Sequence, residues 1–386
     1  MSGWPAIGGA ERAQLTLFRE LGKRVRIHAV FPDDVEPALL EAAEGLNITH
    51  SLAPLTRLRQ TLDPRALARF ALRCARANAV VYRLISERAI DLVHVAYLYD
   101  IPFCAAACRA RQVPLFWLIE NPERFNSVNR MITNACGLDA CVGTSNAILN
   151  EAIQHGIRAP LHAVVPNPYD EAVFFPAPVT SRATSGAPRF RVGFAGLFDE
   201  RKGVLELCRA FVALCRARPR AGCELWLAGR GTEAYEAEMQ RVLEQGGVRE
   251  RVLFRNDLRT PKQMADFYRG LDVFVMLSKR EGLSVAMLEA SACGIPPLVL
   301  APWGDDVILD GKTGLIVRSD QADDVARALL QHVDDDAARQ LMGAAAAEHL
   351  RRHFSSAVVA EKLEKRHAET LLRRRGSQRS TEPASD

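Results

Sequence analysis

Residues 191–211, RVGFAGLFDERKGVLELCRAF, begin with a short apolar run, Arg191 to Ala195, and pass through a polar loop bearing Gly196 and Gly203. Apolar residues then recur at helical spacing from Val204 to Arg216. A brief apolar run bounded by turn residues reads as a buried strand, and the 3.6-residue period after it as a helix. The unit repeats downstream: a strand at Leu225 to Ala228, a helix near Ala234 to Leu243, strands at Val252 to Phe254 and Val273 to Leu277, a helix at Ala286 to Ala292, and a strand at Pro297 to Leu300. Strands alternating with helices imply a parallel sheet covered on both faces. Residues 189–355 therefore read as a doubly wound, Rossmann-like domain.

The same rhythm fills the first half. A helix from Ala10 to Leu21 stops at Gly22, and Val25 to Phe31 reads as a strand. Strands at Leu92 to Val95 and Leu115 to Ile119 flank a helix whose apolar face includes Phe103, Ala106 and Ala107. Ala140 to Gly143, a helix at Asn146 to Gln154, and Ala163 to Val165 continue it. PAPVTSRATSGAP, residues 176–188, is rich in Pro, Ser, Thr and Gly without apolar period, as expected of an exposed linker. The expected organisation is α/β with two domains: 1–175, the linker 176–188, 189–355, a helix over 356–372 returning to the first domain, and a polar, disordered tail over 373–386. Ligands of such sheets sit outside the carboxyl ends of the strands, so two of them facing each other would enclose a site.

Composition narrows the class. Of 386 residues 48% are hydrophobic and 25% charged, the usage of a globular protein rather than a disordered or fibrous one. No apolar run approaches the roughly 20 residues that span a bilayer, and the N-terminus lacks the layout of a signal peptide, so a cytoplasmic location is expected. Nine cysteines, an odd count without CxxC spacing, are expected as reduced, buried thiols. No His or Cys cluster has metal-ligand spacing, so no protein-held metal and no cofactor are expected. A net charge of +4 without a reading motif gives no case for nucleic acid.

Three loops carry chemistry. Gly8 and Gly9 precede the first helix and leave its N–H groups open to an anion, although Gly-Gly alone equally permits a tight turn. In FAGLFDERKGV, Gly196 ends the strand and Lys202, with Arg201 beside it, can neutralise a diphosphate; Gly229 and Gly231 of LAGRG allow a second close backbone approach. The sharpest signal is SKREGLSVAMLEA, Ser278 to Ala290. Glu281 lies in the loop, Gly282, Leu283 and Ser284 can present N–H groups to an anion, and Glu289 follows eight residues on, about two helical turns. An acidic residue near a helix start is commonly a dipole partner. Glu289, however, falls in an apolar helix, where an unpaired carboxylate is costly.

These stretches, with GGAERAQLTLFRELGKRVRIHAVF, DLVHVAYLYDIP, VGTSNAILNEAIQHGI, VPNPYDEAVFFP, RVLFRNDL and DGKTGLIV, resemble family 4 of the glycosyltransferases over nearly the whole chain. The resemblance implies a GT-B fold, two Rossmann-like domains facing a cleft, and a retaining transfer from a nucleotide diphosphate sugar to a glycan or lipid-linked acceptor in surface polysaccharide or lipopolysaccharide synthesis. It implies that Gly9 and Lys202 meet the diphosphate, that Glu281 and the Gly282 to Ser284 backbone hold sugar and phosphate, and that Glu289 binds the ribose. Gly196, Arg201 and Gly229 join the donor side, and Glu120, Asn121 and Arg124 the acceptor side. The chain departs from the family's usual pattern at Leu197, where an Arg is usual, at Glu120, where a His is usual, and in having only MSGWPAI before the Gly-Gly loop, where the family has a strand. The expectation is an upstream start or a first sheet lacking one strand. Leu197 and Glu120 also suggest an alternative, a catalytically inactive GT-B scaffold or sugar-nucleotide-binding module.

Between Leu55 and Ile90, Arg57, Arg59, Arg65, Arg69, Arg73, Arg76, Arg83 and Arg88 outnumber Asp63 and Glu87. Arg65, Arg69, Arg73 and Arg76 recur at helical spacing near Phe70 and Leu72, a basic amphipathic face suited to an anionic membrane surface. In a chain with only seven lysines such a run is equally an ordinary solvated face.

Overall fold

The computed structural model describes residues 9–55, 63–176 and 190–379. Gly8, Arg57, Arg59 and all of the expected linker but Pro176 lie outside them. The chain forms two units, 1–167 with 357–386, and 168–356.

The first unit contains α1 (Gly9–Leu21), β1 (His28–Pro32), α2 (Pro37–Gly45), β2 (Thr49–Ala53), α3 (Pro64–Glu87), β3 (Val93–Val95), α4 (Ala105–Ala110), β4 (Leu115–Ile119), α5 (Ser127–Cys136), β5 (Ala140–Gly143), α6 (Asn146–Gln154) and β6 (Leu161–Val164). β3-β4-β5-β6 form one parallel sheet and β1-β2 another. The first unit's parallel strands thus fall into two sheets, since among the described residues no strand joins β1 to β3. β4 is buried throughout and alternates strictly: Leu115, Trp117 and Ile119 pack with Ala105, Cys108 and Ile148, while Phe116 and Leu118 pack with Leu17 and Leu21. That two-sided burial is why it reads as a continuous apolar run.

The second unit contains β7 (Arg191–Phe198), α7 (Val204–Ala217), β8 (Glu224–Gly231), α8 (Glu233–Gln245), β9 (Val252–Arg255), α9 (Pro261–Arg269), β10 (Val273–Met276), α10 (Val285–Ala292), β11 (Pro297–Leu300), β12 (Leu315–Val317), α11 (Ala322–Asp334) and α12 (Asp336–His353). Its strands pair in the order β12-β11-β10-β7-β8-β9, all parallel, which is the Rossmann order 3-2-1-4-5-6. Val192, Leu225, Val273, Val275 and Leu298 face α7, α8 and α11; Phe274, Met276, Ala228 and Val299 face α9, α10 and α12.

Two expected boundaries move. Residues 168–175 belong to the second unit, where Tyr169 and Phe174 sit in the core with Tyr268 and Phe354. The final helix, α13 (Ser356–Arg379), runs past residue 372 into the expected tail. Arg373 donates to the Pro160 carbonyl and to Glu369, and Arg374 to Asp139, so polar residues without apolar period are fixed by hydrogen bonds. Near its start Val359, Ala360 and Leu363 join Leu17, Phe116 and Val142.

α13 also buries a histidine. His367 and His94 of β3 have ring centroids 5.4 Å apart and both lie edge-on to Phe116, with each Nε2 buried and unpartnered. Burial, aided by the second imidazole, holds His94 near about 3, and burial holds His367 near about 4, against a nearby Glu364 that pulls the other way. Both stay neutral in the folded chain while the unfolded chain protonates them below about 6.5. Their contribution is therefore intact above that pH and is lost as pH falls toward their folded values, each adding a slope of about 1.4 kcal/mol per pH unit. Urea unfolding between pH 7 and 4.5 should show a shallower acid loss in His367→Phe than in the native chain; equal slopes would contradict this account.

Candidate functional site

In the second unit the strand order reverses between β7 and β10, and the helices that follow these strands, α7 and α10, pack on opposite faces. At such a reversal the two following loops part and leave a crevice outside the carboxyl ends. Those loops are the ones singled out above, 199–203 and 277–284.

Each is locally determined. Asp199 caps a short 3-10 turn, Glu200–Lys202, its Oδ1 accepting from the Lys202 amide at 2.8 Å. Gly203 ends that turn at φ +68° and opens α7; a Cβ there would stand 2.4 Å from the Leu277 carbonyl, so only glycine lets the loops approach this closely. The Lys279 amide donates to the Arg201 carbonyl at 2.8 Å. Ser284 caps α10, its hydroxyl accepting from the Met287 amide at 3.4 Å.

These fixed loops bring Lys202 Nζ onto Glu281 Oε2 in a direct, largely buried ion pair. Arg201 stands beside it, its Nη1 3.9 Å from the same oxygen and 3.3 Å from the Arg280 carbonyl, with Nη2 3.6 Å from Asp199 Oδ2. Lys279 is held by Glu206 at 2.7 Å and Asp320 at 3.6 Å. Gly282, Leu283 and Ser284 are buried between Glu281 and α10. Two cations, Lys202 and Arg201, thus stand beside one carboxylate, Glu281, in the loops that lead into α7 and α10. Lys202 and Glu281, which the resemblance assigns to the donor, are brought together from separate loops and pair with each other. Among the described residues no group of three or more His, Cys, Asp or Glu is placed to hold a metal ion, and no helix is long and apolar enough to cross a membrane.

The two strands with glycine ends lie side by side. Gly196 pairs with Gly229, at φ +148° and +149°, and a Cβ on Gly229 would fall 1.8 Å from the Gly196 carbonyl. They serve the approach of one backbone to another. Glu289 differs from its reading: α10 begins only at Val285, so a loop and little more than one turn, not two turns, separate it from Glu281. Its Oε2 accepts from the Tyr268 hydroxyl at 2.9 Å, which is how a carboxylate 2% exposed is tolerated in an apolar helix.

In the first unit Gly9 is the first residue of α1, with Glu11 in the first turn. Glu120 follows β4 and is 5% exposed, with Oε2 buried and unpartnered. Burial foremost, and Glu11 next, push its carboxyl up to about 8 against a hydrogen bond from Gln14. Tyr97 donates to Glu11 at 3.3 Å close by. Asn121 is half-buried, Arg124 is exposed, and Glu123 is buried and accepts from the Leu98 amide at 3.1 Å. In α3, Arg65, Arg69, Arg73 and Arg76 are exposed, whereas Phe70 turns inward onto Phe103 at 5.4 Å, correcting the shared face; Leu67 and Leu72, 41% and 52% exposed, are apolar residues on the outer side.

Sequence reading passed over Asp199, Lys279 and Tyr97, and took Gly203 only as a residue of the loop before a helix. Asp199 was signalled by its position three residues before Lys202, the spacing of a cap. Gly203 and Lys279 act across a contact between loops that no local pattern announces.

The family description "Glycosyltransferase Family 4" matches residues 7–173 and "Glycosyl transferases group 1" matches residues 189–335. The chain is 34% identical over 209 residues to a D-inositol 3-phosphate glycosyltransferase of Arthrobacter sp. (strain FB24), covering 53% of this chain and 49% of that protein. A protein of the same name from Corynebacterium diphtheriae is 26% identical over 95% of this chain and 90% of its own length. The chain spans about half the length of the former relative and nearly all of the latter. In fold it is similar to Anabaena HepE, crystallised with UDP and glucose, at a TM-score of 0.74 and 20% identity, covering 95% of this chain and 97% of that one. The likeness in fold identifies the two units as those of a GT-B protein. With both family descriptions matched in order along its length, the chain belongs to the family 4, group 1 glycosyltransferases.

Proposed function

We propose that the chain transfers a sugar from a nucleotide diphosphate donor, with retention, to a glycan or lipid-linked acceptor. The observation that carries this reading is the Lys202–Glu281 pair formed by the loops that lead into α7 and α10. In this reading the donor diphosphate takes Glu281's place on Lys202, and Glu281, released, turns to the sugar hydroxyls. As the sugar–oxygen bond breaks, charge grows on the departing phosphate oxygen, where Lys202 and Arg201 are already oriented. The acceptor oxygen attacks from the same face, and its proton passes to the departing phosphate. No metal is required for that neutralisation. Glu289, held by Tyr268, is assigned the ribose hydroxyls, and Gly9, Gly196, Gly229 and the Gly282 to Ser284 backbone the donor's close approach. Synthesis of a cell-surface glycan in the cytoplasm is the setting that suits such a donor.

The exposed arginines of α3, with Leu72 among them, are assigned to an anionic lipid surface that presents the acceptor. Asp63 caps this helix at 3.0 Å on the Arg65 amide, so the basic face is held on a regular 24-residue helix. A non-catalytic sugar-nucleotide-binding module would keep the same ion pair, and Leu197, in place of a further cation, is the observation in its favour.

Transfer assays separate the two readings. Melting curves against UDP-, GDP- and ADP-sugars should show one donor that raises the Tm. With that donor, Lys202→Ala and Glu281→Gln should each lower kcat by about 100- to 1,000-fold; binding with no turnover in the native chain would favour the module.

Glu120 gives a second test. Neutral at pH 7, its carboxyl ionises as pH rises through about 8. Transfer by the native chain should change across that interval, and in Glu120→Gln it should be flat there. An unchanged alkaline limb in the variant would remove Glu120 from the reacting groups. For α3, replacing Arg69 and Arg76 by Ala should weaken sedimentation with phosphatidylserine vesicles roughly 30-fold, at about 1 kcal/mol per charge. No difference would remove the membrane assignment.

A further inference from the structure

The first unit holds a cavity that the proposed transfer does not use. It lies between the start of α5 and the end of α6, measures about 160 Å³, and is lined by Phe125, Asn126, Ser127, Arg130 and His155. Asn126 caps α5 on the Asn129 amide at 2.8 Å. Farther along the helix Asn134 donates to the Gly156 carbonyl at 2.9 Å and accepts from the Arg158 amide at 3.0 Å, which ties α5 to the turn after α6. Gly156, at φ +80°, lets that turn pass close to Arg130, since a Cβ there would stand 3.3 Å from Arg130 Cδ. The His155 ring stacks on Phe125 at 5.2 Å, and Phe125 lies edge-on to Trp117 of β4 at 6.4 Å. The lining thus presents a guanidinium, an imidazole, a hydroxyl and an amide, with no carboxylate among them. Donors so grouped suit a ligand with several acceptor oxygens.

α5 also carries an exposed apolar row. Ser127, Arg130 and Asn134 run along the side that meets the turn after α6, and Val128, Met131 and Ala135 form the adjoining row at i, i+3 and i+7. Val128 is 55% and Met131 66% exposed. α5 contains no acidic residue, and Arg124, just before it, is exposed. An open apolar row beside cationic side chains is how a helix rests in the interface of an anionic membrane.

We propose that this cavity takes the phosphate monoester of an anionic lipid, with Val128 and Met131 seated among the acyl chains beside it. Arg130 supplies the charge and a planar pair of donors, His155 a ring N–H, and Ser127 its hydroxyl. The Asn126 side chain spends its oxygen on the cap, which leaves its amide nitrogen to donate. A monoester offers three unesterified oxygens to these donors, whereas the diester of an ordinary phospholipid offers two. The apolar row distinguishes a lipid from a free phosphate ester, which would leave Val128 and Met131 in water. None of these residues belongs to the Lys202–Glu281 pair or to α3, so the site stands or falls apart from the transfer reading and from the basic face of α3.

The test is sedimentation of the full chain with phosphatidylcholine vesicles that carry either phosphatidic acid or phosphatidylserine at matched surface charge. The native chain should prefer phosphatidic acid. Arg130→Gln combined with His155→Gln should weaken binding to phosphatidic acid about tenfold and abolish the preference. Both side chains are exposed, so the variant should keep the native Tm. Met131→Ser should weaken binding to both vesicles, and sn-glycerol 3-phosphate, which has the headgroup without the chains, should displace the native chain only weakly. Replacing Arg69 and Arg76 of α3 by Ala changes charge alone and should leave the preference intact. Equal binding of the native chain to the two lipids, or a preference that survives the double substitution, would overturn the proposal. So would displacement by glycerol phosphate as effective as that by the lipid, since the occupant would then be a soluble phosphate ester.

Discussion

A hydrogen bond from the Lys279 amide to the Arg201 carbonyl, 2.8 Å long, joins the loop after β7 to the loop after β10. It forms because Gly203 leaves room for the Leu277 carbonyl where any Cβ would collide with it. The transfer site proposed for the second unit rests on that junction. Side chains 79 positions apart in sequence, Lys202 and Glu281, meet because their backbones are already fastened to one another. The strands behind them are buried on both faces, so the loops spring from a part of the molecule that resists displacement.

The pairing has an energetic consequence. A largely buried ion pair offsets its loss of hydration only by good geometry, and removing one partner leaves the other exposed to the full penalty. Glu281 therefore holds Lys202 in place. In the proposed transfer, an incoming diphosphate would substitute one anion for another, at less cost than bringing a phosphate to an unpaired, rearranging lysine. Glu120 in the first unit is the opposite case. Among the described residues no cation pairs with it, and burial raises its pKa instead.

Legibility in the sequence followed burial. β7, β8, β10 and β11 stood out because both faces are covered and nearly every residue is apolar; β12, with three half-buried residues, gave no such run. The loop residues Lys202, Glu281 and Gly282 to Ser284 were readable because glycine, charge and a following helix lie adjacent in the chain. What depended on distant contacts was not. The turn from first unit to second comes at Pro168 rather than after Pro176 because Tyr169 and Phe174 pack inward, a fact of tertiary packing. α13 continues to Arg379 through bonds to Pro160, Glu369 and Asp139 that a polar sequence does not display. Glu289 looked anomalous in an apolar helix until Tyr268, 21 positions away, supplied its hydrogen bond.

The central claim is that Lys202 exchanges Glu281 for a nucleoside diphosphate. Nitrogen-15 labelling of the lysine side chains and titration with UDP, GDP and ADP tests it directly, since only seven Nζ signals are present. The account predicts that one nucleotide shifts the Lys202 resonance in a saturable way, and that Glu281→Gln moves the unliganded resonance. A nucleotide that binds while the Lys202 signal stays where it was would contradict it.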